Sequence, residues 1–294
     1  MSRYLDPKND LVFKKVFGEH PKILKSFLNA VLPLPDDCQI EELEYLPSEQ
    51  VPLIPGLKRP IVDVKCRDNK GNIFIVEMQM VWTDSFKQRL LFNAASAYVR
   101  QLNRGEGYKL LNPVYGLALV NQNFDPDPTQ WYHHYNMVKV GDAEKIIEGL
   151  TLVFVELQKF PIKTRHEKRL KILWLRFLRE LSDQTSEVSA ELFAVPEISE
   201  AIALTEESGF TKAELNAYDG YWDGISTEKT LLMGRFDEGQ AKGKAEGRAE
   251  GRAEGRAEGK TEIAKLMIQQ GFSIEQINFL TGISRQTIES WLEK

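Results

Sequence analysis

The fold rests on one stretch: Ile61-Val62-Asp63-Val64-Lys65-Cys66-Arg67-Asp68-Asn69-Lys70-Gly71-Asn72-Ile73-Phe74-Ile75-Val76-Glu77-Met78-Gln79-Met80. Two β-rich runs flank a cluster of turn residues. A three-residue loop, Asn69-Lys70-Gly71, suits a type I turn followed by a glycine in the left-handed conformation. That loop sets Asp68 opposite Asn72. Counting back then places Lys65 opposite Ile75, Asp63 opposite Glu77 and Ile61 opposite Gln79. One face carries Val62, Val64, Cys66, Phe74, Val76 and Met78 and reads as the core side. The other gathers Asp63, Glu77 and Gln79. A two-residue turn would set Asp63 against Val76 and mix the faces, so the hydrophobic pattern selects the register that joins the carboxylates.

Two carboxylates directly opposite on a sheet repel one another. A divalent cation relieves that repulsion, and Mg²⁺ suits a site of one or two carboxylates completed by waters and substrate phosphate oxygens. Such an ion activates water, polarises a phosphate and steadies a leaving oxygen. The plain alternative is that Asp63 and Glu77 are the solvent-facing residues of a half-exposed sheet, and the pattern alone leaves both readings open.

Outward from the hairpin, apolar spacing predicts helices at Asp10–Phe17, ended by Gly18, and at Pro21–Leu32, stopped by Pro33 and Pro35. Strands are expected at Gln39–Leu46, Pro60–Cys66, Ile73–Met80, Val114–Val120, Tyr132–Val140 and Leu152–Leu157, with a helix over Ser85–Asn103 between the third and fourth. This order predicts a mixed α/β sheet with helices against its faces. The divisions by composition are a core over 1–160, a helical extension over 161–235, a four-residue repeat over 236–260 and a small helical tail over 261–294.

The chain resembles the PD-(D/E)XK nucleases, specifically the bacterial branch of recombination-promoting nucleases also described as transposases. The resemblance rests on Asp10-Leu-Val-Phe-Lys-Lys-Val-Phe-Gly18, Val62-Asp63-Val64, Ile75-Val-Glu77-Met-Gln79, Tyr108-Lys-Leu-Leu-Asn-Pro-Val114 and the Glu-Gly repeats near the end. It implies a restriction-endonuclease-like α/β fold in which Asp63 is the motif aspartate and Glu77 the following acid, together holding Mg²⁺, Mn²⁺ or another divalent cation. The lysine that usually stands two residues later is replaced here by Gln79. A glutamine orients water but takes no proton, so activation of the nucleophile falls to the ion. Lys65 lies on the same face as Asp63 and offers either a nearby positive charge or a solvated strand lysine. Asp10 matches the acid that many relatives carry on the first core helix, or else serves as that helix's N-cap. Strand transfer normally demands a further well-placed acid, which the sequence does not identify, so a nuclease is expected ahead of a transposase.

The densest basic stretch holds Lys159, Lys163, Arg165, Lys168, Arg169, Lys171, Arg176 and Arg179 beside the apolar stripe Leu170, Leu173, Trp174, Phe177, Leu178 and Leu181. Lys168 and Arg169 either contact phosphates or belong to the solvated face of an amphipathic helix. Lys14, Lys15, Lys58, Arg59 and Arg89 are further groove candidates. His20, His133, His134 and His166 show no ligand spacing, and the neighbours His133 and His134 point to opposite sides of a strand.

Gly239, Gly243, Gly247, Gly251, Gly255 and Gly259 recur every fourth residue, with Glu246 to Glu258 and Arg248 to Arg256 in step. A helix there carries its own penalty, about 1 kcal/mol per glycine relative to alanine, and like charges at i+4. A second copy could set Arg stripe against Glu stripe. Self-association, giving a homo-oligomer, and a flexible linker are the two expectations. In the tail, Gly271 ends one helix, Ser273 caps a short one, and Ser284 caps Arg285–Leu292 in a helix-turn-helix-like pattern. Arg285 and Gln286 would then stand where base-edge contacts are made, although such hairpins also serve as protein contacts.

Composition bounds the rest. At 294 residues, 42% hydrophobic and 28% charged, the chain can bury one sizeable core with appendages. No apolar run reaches bilayer length, the first residues lack a secretory apolar segment, and two cysteines, Cys38 and Cys66, build no disulfide framework or zinc site. A cytoplasmic protein without membrane partners is expected. The net charge of −5 argues against a protein that coats DNA but not against an enzyme with a local basic groove. The expected activity is metal-dependent endonucleolytic cleavage of DNA. The rival is a catalytically weak DNA-binding or assembly protein that retains the fold.

Overall fold

The computed structural model describes residues 3–49, 61–161 and 169–292. Contacts divide the chain into two units, Met1–Glu228 and Lys229–Lys294.

The first unit opens on α1 (Asp10–Phe13), continued by a π-helical turn over Lys14–Gly18, and α2 (Pro21–Val31). Apolar spacing predicts one helix over Asp10–Phe17; the wider π turn replaces its second half. Phe13 and Phe17 lie 4.8 Å apart, and Phe17 and Phe27 lie at the same spacing. Phe17 meets Trp174 and Phe177 of α4 (Arg169–Glu180) and Phe27 meets Trp174, while the Trp174 indole N–H donates to Ser26 Oγ at 3.2 Å. The amphipathic stripe of α4 thus packs into the same core as the N-terminal helices. The described part of the unit also includes α5 (Ala190–Phe193) and α6 (Pro196–Leu204).

The sheet runs in the order β1-β2-β3-β4-β6-β5, from β1 (Leu43–Tyr45), β2 (Val64–Asp68), β3 (Ile73–Gln79), β4 (Val114–Val120), β5 (Tyr132–Lys139) and β6 (Asp142–Glu156). The β3-β4 and β4-β6 pairs are parallel and the others antiparallel. The crossover from β3 to β4 carries α3 (Phe86–Val99). It lies over Ile73, Ile75, Val114, Ala118 and Phe154, whereas Val64, on the opposite face, approaches the π turn at Gly18.

The central hairpin has the expected register, with Val64, Lys65, Cys66 and Arg67 opposite Val76, Ile75, Phe74 and Ile73. Its turn is organised by buried Asp68. That carboxylate accepts from the backbone N–H groups of Lys70 and Asn72 at 3.0 and 2.8 Å, and Gly71 adopts φ 92°. A Cβ on Gly71 would stand 2.8 Å from Asn112 Nδ2, so glycine is required on two counts.

Three expectations need correction. Both faces of β3 are buried rather than one, because α3 covers the face carrying Ile75 and Glu77. The ladder stops at Val64, so Asp63 does not pair with Glu77 as expected: the chain bends at Asp63, sends Val62 to the α3 side, and pairs Ile61 with Glu49 instead of Gln79. Strand β6 begins at Asp142, ten residues before the expected Leu152, since its first part forms a solvent-exposed ribbon with β5. Ladder hydrogen bonds hold that ribbon without burying side chains, so no apolar pattern announces it.

Helix α7 (Lys212–Gln269) starts in the first unit and includes the repeat. The second unit is completed by α8 (Ile274–Thr281) and α9 (Arg285–Leu292), packed around Ala264, Ile277 and Ile288. Ser273 and Gln276 form a reciprocal capping box, and Ser284 Oγ accepts from Thr287 N–H at 3.2 Å. Among the described residues no helix is long and apolar enough to cross a membrane.

Candidate metal and phosphate site

Asp63 occupies the bend where β2 begins, and its Oδ2 accepts the backbone N–H of Met78 at 2.7 Å. That bond ties the aspartate to the residue after Glu77. Among the described residues no hydrogen bond reaches its Oδ1. Burial, foremost, then the charges of Glu77 and Asp10, push the Asp63 carboxyl from 3.8 up to about 7, against the Met78 N–H and the Lys14 ammonium. Three acids from α1, the bend and β3 therefore share one electrostatic neighbourhood.

Glu77 is 4% exposed beneath α3. Its Oε1 accepts from Asn93 Nδ2 at 2.6 Å and its Oε2 from Arg89 Nη2 at 3.2 Å. Burial raises its pKa, and Arg89 and Asn93 hold the rise in check. Gln79 follows on the same face. Its Oε1 accepts from the same Arg89 nitrogen and its amide donates to Val81 O, so both ends of the side chain are engaged.

Asp10 is the first residue of α1, and the cap is Asn9, whose side chain accepts from Leu11 N–H at 3.0 Å. The carboxylate of Asp10 instead meets Lys14 at 2.9 Å. Asp10 and Lys14 line a cavity of about 520 Å³ with Asn9, Lys15, Glu214 and Tyr221. The phenol of Tyr221 is raised by burial and then by the charges of Asp10 and Asp63.

Lys65 is half-buried, and its pKa is lowered by desolvation and by the Arg100 guanidinium. The charge it meets is a cation at the end of α3. Arg169 is the exposed first residue of α4, and Lys168 lies outside the described residues, as do Lys58, Arg59, Lys163, Arg165 and His166. Arg285 and Gln286 open α9 in the second unit, with Arg285 3.8 Å from Glu275. His133 is buried against Glu156 at 2.7 Å and His134 faces the other way.

Three neighbours of the acids stand outside the motif residues. Asn93 sits among Phe86, Leu90, Ala94 and Ala97 on the buried stripe of α3, and a polar residue in such a stripe is a signal. Arg89, one turn earlier, figured only as a groove candidate. Tyr221 arrives from far along the chain with no local signal; α7 is anchored there by Tyr218, whose hydroxyl accepts the Asp6 backbone N–H at 3.1 Å.

The donors suit a hard divalent cation: the Glu77 charge acts on the Asp63 carboxyl, and one Asp63 oxygen is uncommitted to any described residue. Among the described residues no cluster of three or more His, Cys, Asp or Glu side chains is assembled, so waters and phosphate would complete the shell.

A mixed sheet between helices, with acids at the mouth of its central hairpin, defines a nuclease-fold protein of restriction-endonuclease-like architecture. The chain belongs to the family described as PD-(D/E)XK nuclease family transposase, whose model matches residues 7–223. The match spans all six strands and ends inside α7, just past Tyr221 and before the repeat. No curated protein and no solved structure matches the chain.

Proposed function

We propose that the protein is a divalent-metal-dependent endonuclease that hydrolyses phosphodiester bonds in DNA. The observation that carries this reading is the placement of Asp63, bonded to the Met78 N–H, beside Glu77 at the mouth of the β2-β3 hairpin, in a chain of a nuclease family. Asp63 and Glu77 hold the cation, Mg²⁺ or Mn²⁺, whose contribution when bound is Lewis-acid activation of water and phosphate. Asn93 fixes the Glu77 carboxylate from within, Arg89 pairs with it in the metal-free fold, and Gln79, lacking a useful pKa, orients rather than accepts a proton. A water oxygen bonds to phosphorus and releases a proton to solvent, the phosphorus–oxygen ester bond breaks, and the departing oxygen takes up a proton. Asp10, with Lys14 and Lys15 beside it, lines the cavity and supports the site through its charge on Asp63.

Lys65, Lys168 and Arg169 are assigned to phosphate contacts, and Arg285 and Gln286 to a secondary DNA contact at the start of α9. The repeat is assigned to self-association, in keeping with its complementary Arg and Glu stripes, and the compartment to the cytoplasm. The core, extension, repeat and tail, at 1–160, 161–235, 236–260 and 261–294, are assigned these separate roles.

The test is cleavage of covalently closed circular DNA with Mg²⁺, Mn²⁺ or chelator. Wild-type protein should nick or linearise the circle only with metal, and Asp63→Ala should lower the rate at least about a hundredfold, as loss of a principal stabilising group does. Equal cutting by Asp63→Ala would refute the site. DNA binding without metal-dependent cutting would favour a non-catalytic assembly protein.

A further inference from the structure

A single nitrogen of Arg89 touches both polar side chains at the end of β3. Its Nη2 donates to Glu77 Oε2 at 3.2 Å and to Gln79 Oε1. The two partners of this ion pair differ sharply in exposure. The Glu77 side chain is 5% exposed and that of Arg89 46%, so the guanidinium reaches a buried carboxylate from the solvent side. Its perch is the ring of Phe86, whose centroid lies 4.5 Å from the guanidinium carbon and which is itself fully buried. The other oxygen of Glu77 is held from within by Asn93. The inner contact is therefore enclosed, and the outer one is accessible to exchange.

We infer that Arg89 is the exchangeable counter-ion of the acid pair. It neutralises Glu77 until a divalent cation takes the same carboxylate oxygen, and is then released from Glu77 toward the phosphate of the substrate. Two cations close to one carboxylate oxygen repel, so arginine and metal compete for Glu77. The guanidinium needs no new fold element to move, because it stands on the Phe86 ring at the half-exposed end of a flexible aliphatic stem. Once released, its planar fork of donors matches phosphate geometry and lies next to the metal-bound acids. Gln79, standing where a lysine is usual, anchors the arginine through its carbonyl oxygen. In this reading the glutamine and Arg89 together take over the positive charge a lysine would supply.

This inference rests on the proposed metal site, and the experiment separates the two. Mn²⁺ binding to the full-length protein without DNA is measured by calorimetry for wild type, Arg89→Met, Arg89→Lys and Asp63→Ala. Arg89→Met keeps the stem on Phe86 and removes the competitor, so it should bind Mn²⁺ roughly tenfold more tightly, about the worth of one charge-assisted hydrogen bond. Arg89→Lys retains a cation and should stay near wild type. In chelator, Arg89→Met should melt below wild type and show the larger rise on adding Mn²⁺. Unchanged or weaker Mn²⁺ binding by Arg89→Met, with Asp63→Ala still defective, would overturn the counter-ion role alone. Failure of the wild type to bind Mn²⁺, or equal binding by Asp63→Ala, would remove the metal site and this inference with it.

Discussion

Asp63 shows how one side chain carries both a cost and a use. A carboxyl with its folded pKa raised from 3.8 to about 7 retains its proton in the native state at pH values where the unfolded chain has lost it. The resulting stabilisation is complete below pH 3.8 and is lost as pH rises through about 7. Burial of Glu77 acts in the same direction. Asp63→Asn keeps an acceptor for the Met78 N–H and abolishes the ionisation. In chelator at pH 8 the variant should melt above wild type by roughly 3 °C or more, the shift that about 1 kcal/mol produces in a domain of this size. The two curves should converge near pH 4. A constant offset across that range would show that ionisation of Asp63 is not the cause. The same chemistry makes metal binding a remedy: a cation stabilises the ionised carboxylate that the empty fold disfavours.

At the scale of elements, the hairpin and the repeat obey different rules. The β2-β3 turn is legible because Asp68, Gly71 and Asn72 each have a local reason to stand there, and the register follows from them. The bend at Asp63 is not legible, since it answers to pairing with Glu49, a residue that carries no strand pattern of its own. The repeat lies in continuous helix within α7, yet nothing stands within 4 Å of a Cβ added at Gly247, Gly251 or Gly255. Replacing these three by alanine should therefore raise helicity by circular dichroism, each substitution favouring helix by about 1 kcal/mol. If the repeat pairs with a second copy through its small residues, the same variant should shift from oligomer toward monomer in sedimentation. An oligomer that survives the substitutions would place self-association elsewhere.

For the whole molecule, the aromatic cluster around Trp174 joins α4 to the N-terminal helices, and Tyr218 joins α7 to the start of the chain. Every residue assigned to the acidic site lies within Met1–Glu228. A fragment ending at Glu228 should accordingly unfold in one cooperative transition and retain the Mn²⁺ affinity of the full chain within about twofold, a difference of about 0.4 kcal/mol. Loss of metal binding in a well-folded fragment would mean that the repeat or tail contributes to the site.

Local and periodic features were legible in the chain: the hairpin register from Val64 to Arg67, the helix of the crossover, and the caps at Ser273 and Ser284. Such features follow from the spacing of apolar residues and from turn chemistry within a few residues. Tertiary structure alone decided that β3 is covered on both faces, that Arg89 and Asn93 divide the oxygens of Glu77, and that Tyr221 faces the cavity beside Asp10. These depend on which surfaces meet, and burial sets the strength of each charge interaction only after the chain has closed around it.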